Sequence, residues 1–204
     1  MSKIVSQREI PGGDQLPCVP LRVVGCGNPW AGDDSAGIEI VRRLRERGGC
    51  RCELLERPQE GVELMDVLRD VEAVLFIDAV SSGAAAGTLH LVPLPSACVV
   101  TRTLGAISTH GWGLPETLWL MASLRQRIPR LALLGVEIEQ ALAGAPRSAA
   151  VESAIRSVVK CFAAFEEMLT LQGEWDWATP RRFAPAGGLD ELAKSEVVSG
   201  KEGG

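Results

Sequence analysis

Residues 25–37 read GCGNPWAGDDSAG, so glycines and two adjacent carboxylates, Asp33 and Asp34, lie between an apolar run and an amphipathic one. Three chemistries suit such a loop. A dinucleotide site needs G-x-G-x-x-G, with a helix N-terminus facing a pyrophosphate. Here Asn28, Pro29 and Trp30 follow Gly27, the third glycine is missing at its place, and the aspartates repel a phosphate. A Walker A loop fails for want of Gly-Lys-Ser/Thr. The plain alternative is capping: an aspartate before a helix accepts free amide hydrogens and meets the positive end of the helix dipole, for about 0.3–1 kcal/mol.

The third chemistry is metal recognition, and it depends on two further residues. Asp78 ends the buried run AVLFI, and His110 lies in AISTHGWG; one imidazole with carboxylates suits a borderline divalent ion such as Ni²⁺, Zn²⁺ or Mn²⁺. Taken singly, each residue has a duller reading: a capping aspartate, a surface histidine. Together they make a nitrogen and oxygen set. His90, the other histidine, sits in an alternating strand with no acidic residue near it in sequence, and is read as structural or exposed. Cys26 beside a histidine would suggest a cysteine peptidase, but a strand-turn position asks only for a small buried hydrophobe.

The elements that must position these groups are legible from periodicity. LRVVG (residues 21–25), RCELLE (51–56), AVLFIDAV (73–80), GTLHLVPL (87–94) and LALLGVEI (131–138) read as strands, the third and fifth covered on both faces. GTLHLVPL alternates and ends in prolines, as an edge strand does. Helices are predicted over 37–47, 61–68, from Pro115 with apolar residues at Leu118, Met121 and Leu124, and over 148–171, where Val151, Ala154, Ile155, Val158, Val159, Phe162, Phe165 and Leu169 draw a 3.6-residue stripe. Alternating strands and helices predict one three-layer α/β/α domain with a mostly parallel, roughly five-stranded sheet. Ligands of such sheets bind beyond the carboxyl ends of the strands, where Asp33, Asp34 and Asp78 all fall.

The chain has 204 residues, 46% of them hydrophobic, enough for one substantial core. Residues 1–20 form an N-terminal extension, 21–172 the domain, and 173–204, rich in Gly, Pro, Ala and charge, a mobile tail whose WDW and RRF elements have docking onto the body as their alternative. A net charge of −5 argues against a nucleic-acid partner, and RRLRER (42–47) is a solvated helix flank. The start has charge where a secretory signal needs an apolar stretch, and no run of about 18 apolar residues follows. A soluble cytoplasmic protein without a membrane partner is expected. Six cysteines without a CxxC pair fit reduced, buried thiols.

VVGCGNPWAGDDSAG, the FIDAV strand end, STHGWGLPETL and LLGVEI, in this order and spacing, resemble the hydrogenase maturation endopeptidases over residues 21–170. The resemblance implies an enzyme that removes a C-terminal extension from the large-subunit precursor of a [NiFe]-hydrogenase after nickel insertion. It implies metal contact through Asp34, where the family often has Glu, together with Asp78 and His110. Asp33 and Asn28 would support them. It implies no organic cofactor, and nickel supplied by the precursor itself. The family's G-G-T-x-G segment, tied to substrate choice, is replaced here by Arg57, Pro58, Gln59 and the retained Gly61 within ERPQEG. Two other readings use the same residues: a non-catalytic nickel-sensing or delivery chaperone, and a nucleotide-binding α/β enzyme.

Overall fold

Short apolar runs that stop at glycine or a charge, alternating with amphipathic stretches, fold into one layered sheet with helices on both sides. The computed structural model describes residues 19–56, 62–94, 114–170 and 181–183. Along the chain these form β1 (Val19–Gly25), a 3-10 turn (Gly32–Ser35), α1 (Ala36–Arg47), β2 (Glu53–Glu56), α2 (Val62–Leu68), β3 (Val71–Val80), β4 (Leu89–Leu94), α3 (Leu114–Ser123), β5 (Arg130–Glu137), α4 (Ala149–Thr170) and β6 (Arg181–Phe183). The sheet order is β2-β1-β3-β5-β4-β6. The first three pairings are parallel; β4 runs antiparallel to β5 and to β6.

Side chains alternate across a strand, so β3 feeds two cores at once. Ala73, Leu75 and Ile77 face α1 and α4, together with Leu21, Val23, Leu134, Ile40, Leu44 and Phe162. Val74, Phe76 and Val80 face α2 and α3, with Val24, Leu133, Leu64, Leu68, Leu118 and Met121. Each fully buried Leu or Phe contributes about 1.5–3 kcal/mol, which is why a run covered on both faces must be central. The predicted three-layer α/β/α class is the observed one.

Two expectations about the sheet's outer side are corrected. GTLHLVPL is not the edge: all of β4 is buried, and Arg181–Phe183, read as part of a mobile tail, forms a sixth strand outside it. The physical reason lies in Phe183, whose ring meets that of Phe165 edge to face at 6.3 Å between centroids, while Leu89–Leu91 offer their outer backbone groups to β6. Pro93 falls beyond the reach of β6, where a missing N–H costs nothing. The remainder of 173–204, WDW included, lies outside the described residues, as does the 1–18 part of the N-terminal extension.

Leu124 follows the end of α3 and is 55% exposed, whereas Leu118 and Met121 are buried. The flank of α1 is solvated but not idle: Arg42 and Arg45 both pair with Glu56, and Arg43 bridges Glu39 and Glu152. A buried arginine inside the first apolar run has a similar use. Arg22 Nη1 donates to the carbonyls of Asp66, Val67 and Arg69, closing the C-terminal end of α2, while Glu53 holds its other side. Among the described residues no helix is long and apolar enough to cross a membrane.

Candidate active site

The glycines of the opening loop serve close approach of backbone to backbone. A Cβ on Gly37 would lie 2.1 Å from the carbonyl oxygen of Ile77 and 2.6 Å from that of Cys26. The start of α1 can therefore lie against the ends of β1 and β3 only because position 37 has no side chain. Gly27, at φ +119°, is tighter still: its Cβ would fall 1.9 Å from the Asp34 carbonyl oxygen and 3.9 Å from Asp78 Oδ1. The backbone of Asp34 and the side chain of Asp78, from segments far apart in the chain, thus both border one glycine at the carboxyl end of the sheet.

Residues 32–35 are all buried in the 3-10 turn, and neither aspartate caps the helix that follows: Ser35, at its N-cap, makes no side-chain capping bond. That corrects the capping reading. Asp33, with no exposed surface, instead accepts hydrogen bonds from Ser148 N at 2.6 Å and Glu139 N at 3.2 Å, tying the β1–α1 loop to the β5–α4 connection. Asp34 Oδ2 accepts from Asn28 N at 3.1 Å, and Asn28 Oδ1 accepts from Trp30 N at 3.0 Å. Asn28 therefore shapes the loop twice, through its backbone and its side chain. Ser35 Oγ donates to Gly32 O at 2.6 Å and closes the turn.

Asp78 is fully buried and pairs in register with Gly135 of β5, on the face shared with Val74, Phe76 and Val80. Its charge reaches Cys26: burial first, and then the Asp78 carboxylate, push the Cys26 thiol well above its usual range. A thiol so held is a poor nucleophile, because the thiolate is the reactive form. Its Sγ points back to Val24 O at 3.8 Å. Cys26 is thus the small buried hydrophobe expected from its place.

His110, Arg57, Pro58, Gln59 and Gly61 lie outside the described residues. Among the described residues no three His, Cys, Asp or Glu side chains gather as metal ligands, and what borders Gly27 is the Asp34 backbone and the Asp78 carboxylate. Glu56, the last described residue before Arg57, pairs in register with Gly25, the last residue of β1.

His90, read as structural or exposed, is a buried structural residue, and it has an acidic partner that sequence proximity hid. Its Nε2 lies 3.0 Å from Glu137 Oε2. Glu137 is only 1% exposed and also accepts from the backbone N–H groups of Ser82, Gly83 and Ala84 and from Ser82 Oγ. This carboxylate staples the loop after β3 to the end of β5. Its signal in the sequence was a lone acid closing an apolar strand, LALLGVE. Burial lowers the His90 pKa from its usual 6.5; Glu137 opposes that shift and Arg182 of β6 adds to it.

The fold has known counterparts. By structure the chain is similar to the hydrogenase maturating endopeptidase HybD from Escherichia coli (TM-score 0.60, 24% identity, covering 72% of this chain and 92% of that one). It is also similar to the [NiFe] hydrogenase maturation protease HybD from Thermococcus kodakarensis (TM-score 0.57, 19% identity, 72% and 98%). At these identities the likeness is one of fold. By sequence it is 32% identical over 121 residues to the hydrogenase expression/formation protein HupD of Thiocapsa roseopersicina, covering 57% of this chain and 53% of that protein. It is 30% identical over 126 residues to HoxM of Azotobacter vinelandii, covering 59% and 58%. The chain spans somewhat over half the length of these curated relatives. The family model for hydrogenase maturation protease matches residues 38–164, more than half of the chain and a span that contains both Asp78 and His110. The chain belongs to the hydrogenase maturation protease family.

Proposed function

We propose that this chain is an endopeptidase that removes the C-terminal extension of a [NiFe]-hydrogenase large-subunit precursor once nickel is in place, and that it reads the nickel through Asp34, Asp78 and His110. The observation that supports the reading is that Gly27 is bordered by the Asp34 backbone and the Asp78 carboxylate, with the Asp34 carboxylate held by the neighbouring Asn28 N–H, at the sheet end where α/β proteins bind ligands. Two carboxylates and one imidazole, with no thiolate, hold a free borderline ion only modestly. A nickel ion already bound by the precursor's own ligands gains these three as a docking bond. In this reading nickel is substrate, and its presence reports that the precursor is ready.

At such a centre the metal can polarise the scissile carbonyl or the attacking water. The water oxygen bonds to the carbonyl carbon, the C–N bond breaks, and the released amine takes a proton. The chain's own residues orient the reacting groups: Asn28 and Gly27 fix the Asp34 carboxylate, and the tight end of β3 fixes Asp78. The segment Arg57, Pro58, Gln59 and Gly61, which follows β2 in sequence, is assigned to choice of precursor. The nickel-sensing or delivery chaperone is the second reading, and it uses the same three ligands. Incubating purified protein with nickel-loaded precursor decides between them. Release of the C-terminal peptide, seen by mass spectrometry, supports the peptidase; binding without release supports the chaperone. Exchange at Gln59, assayed on cognate and non-cognate precursors, tests the selection segment.

A further inference from the structure

Residues 48–52 read GGCRC and join α1 to β2 at the amino end of the sheet, opposite the aspartate loop. We propose that Cys50 and Cys52 are a reversible dithiol–disulfide pair, a modification site at which a low-molecular-weight disulfide takes two electrons from the thiols and leaves them bridged. The pair stands apart from the proposed peptidase centre, and its chemistry does not depend on that reading.

Both side chains pack against the core that holds Phe162 and Phe165, so the two thiols lie on one side of the chain. They interact with each other, and Cys52 also reaches Glu166. In an extended segment residues i and i+2 stand about 6.6–7.2 Å apart, at the upper edge of the roughly 4.4–6.8 Å that a disulfide spans. Here the chain bends at residues 51 and 52, which shortens that span. Glu166, only 4% exposed, holds the bend: Arg51 N donates to its Oε1 at 2.5 Å, and Arg51 Nε lies 3.7 Å from its Oε2. On the other side, Gly48 and Gly49 have φ of +68° and +80°, and a Cβ on either would meet nothing within 4 Å. Cys50 therefore has room to turn toward Cys52.

Both cysteines are free and half-buried. Burial first, and then the Glu166 carboxylate, raise both thiol pKa values, so the reduced pair gains none of the thiolate stabilisation that makes some dithiols strong oxidants in their bridged form. What favours closure is proximity, because the fold has already placed both sulfurs on one side of a fixed bend. Arg47 draws the Cys50 thiol back toward ionisation, which makes Cys50 the attacking sulfur. Its thiolate bonds to one sulfur of the small disulfide, whose S–S bond breaks, and the released thiolate takes up the proton that Cys50 gave. The Cys52 sulfur then bonds to Cys50 Sγ, and the second small thiol leaves with the Cys52 proton. The protein pair is oxidised by two electrons, and the small disulfide is reduced to two thiols.

The test equilibrates the full, reduced chain in buffers of reduced and oxidised glutathione, blocks the remaining thiols by alkylation and maps tryptic peptides by mass spectrometry. Trypsin cuts after Arg51, so a bridge joins two peptides that are otherwise separate. The joined pair is expected to form as the buffer becomes more oxidising and to come apart with dithiothreitol. Cys52→Ser should stop at a glutathione adduct on Cys50, and Cys50→Ser should lose the bridge and leave Cys52 a free thiol. In urea the bridge should need a more oxidising buffer than in the folded chain, since it is the fold that holds the bend. Alkylation of both cysteines across the whole range overturns the proposal, as does linkage of either to another cysteine. An equal midpoint for the folded and the urea-unfolded chain overturns it too, because the bridge would then owe nothing to the structure.

Discussion

Gly27 and Asp34 occupy the same space: a Cβ at position 27 would lie 1.9 Å from the Asp34 carbonyl oxygen, and φ at Gly27 is +119°. Gly27→Ala must therefore move the loop that carries Asp34. Backbone strain alone costs about 1–3 kcal/mol. The expected outcome is a lower melting temperature and loss of precursor processing. Gly48→Ala is the control, since it shares a positive φ of +68° but meets nothing within 4 Å. It should cost stability alone.

Asp34→Asn, Asp78→Asn and His110→Ala each remove a proposed contact to the substrate's nickel. Cleavage of nickel-loaded precursor should fall by more than the roughly 10–100-fold typical of outer-shell partners. Cys26→Ala should retain activity, because its thiol is buried and its pKa raised. Full activity in Asp78→Asn and His110→Ala, or its loss in Cys26→Ala alone, would overturn the mechanism.

Asp33→Asn separates support from ligation. A mild effect follows if the residue merely caps a helix, but both of its oxygens accept backbone N–H groups in a fully buried place. Asparagine turns one acceptor into a donor that faces a donor. Stability should drop by about 1–3 kcal/mol, visible as a lower melting temperature, with residual cleavage in the folded fraction.

Ending the chain at residue 173 removes β6. The domain should still unfold cooperatively, but at a lower temperature, because Phe183 leaves Phe165 and the outer side of β4 loses its partner. Phe183→Ala in the full chain should reproduce part of the loss, about 0.5–1.5 kcal/mol for the ring pair itself. Identical melting of all three proteins would show that β6 adds nothing.

His90 makes stability depend on pH in one direction. Its folded pKa is lowered from the usual 6.5, by burial first and then by Arg182, against the pull of Glu137. The unfolded chain therefore binds more protons on acidification. This contribution is fully present above the unfolded value and is lost as pH falls below about 6.5 toward the folded one. Melting curves from pH 7.5 downward should show a steeper loss in wild type than in His90→Gln. Parallel curves would assign the pH dependence elsewhere.

What the sequence determined alone follows from short-range rules. The two-faced burial of AVLFIDAV, the stripe of α4 and the strand-loop-helix around GCGNPWAGDDSAG are written in periods of 2.0 and 3.6 residues, so each could be read without its neighbours. The placement of Asp34 and Asp78 was legible for the same reason: one lies in the turn that follows a recognisable strand, the other near the carboxyl end of one. What only the tertiary structure decided spans long separations. Asp33 bonds across 115 residues to Ser148, and His90 across 47 to Glu137. Neither partner leaves a local pattern. The strand Arg181–Phe183 is three residues long, too short for any periodicity, and exists because β4 had open backbone groups and Phe165 an open ring edge. Hydrogen bonds and ring contacts between distant segments form only when the two cores bring those segments together.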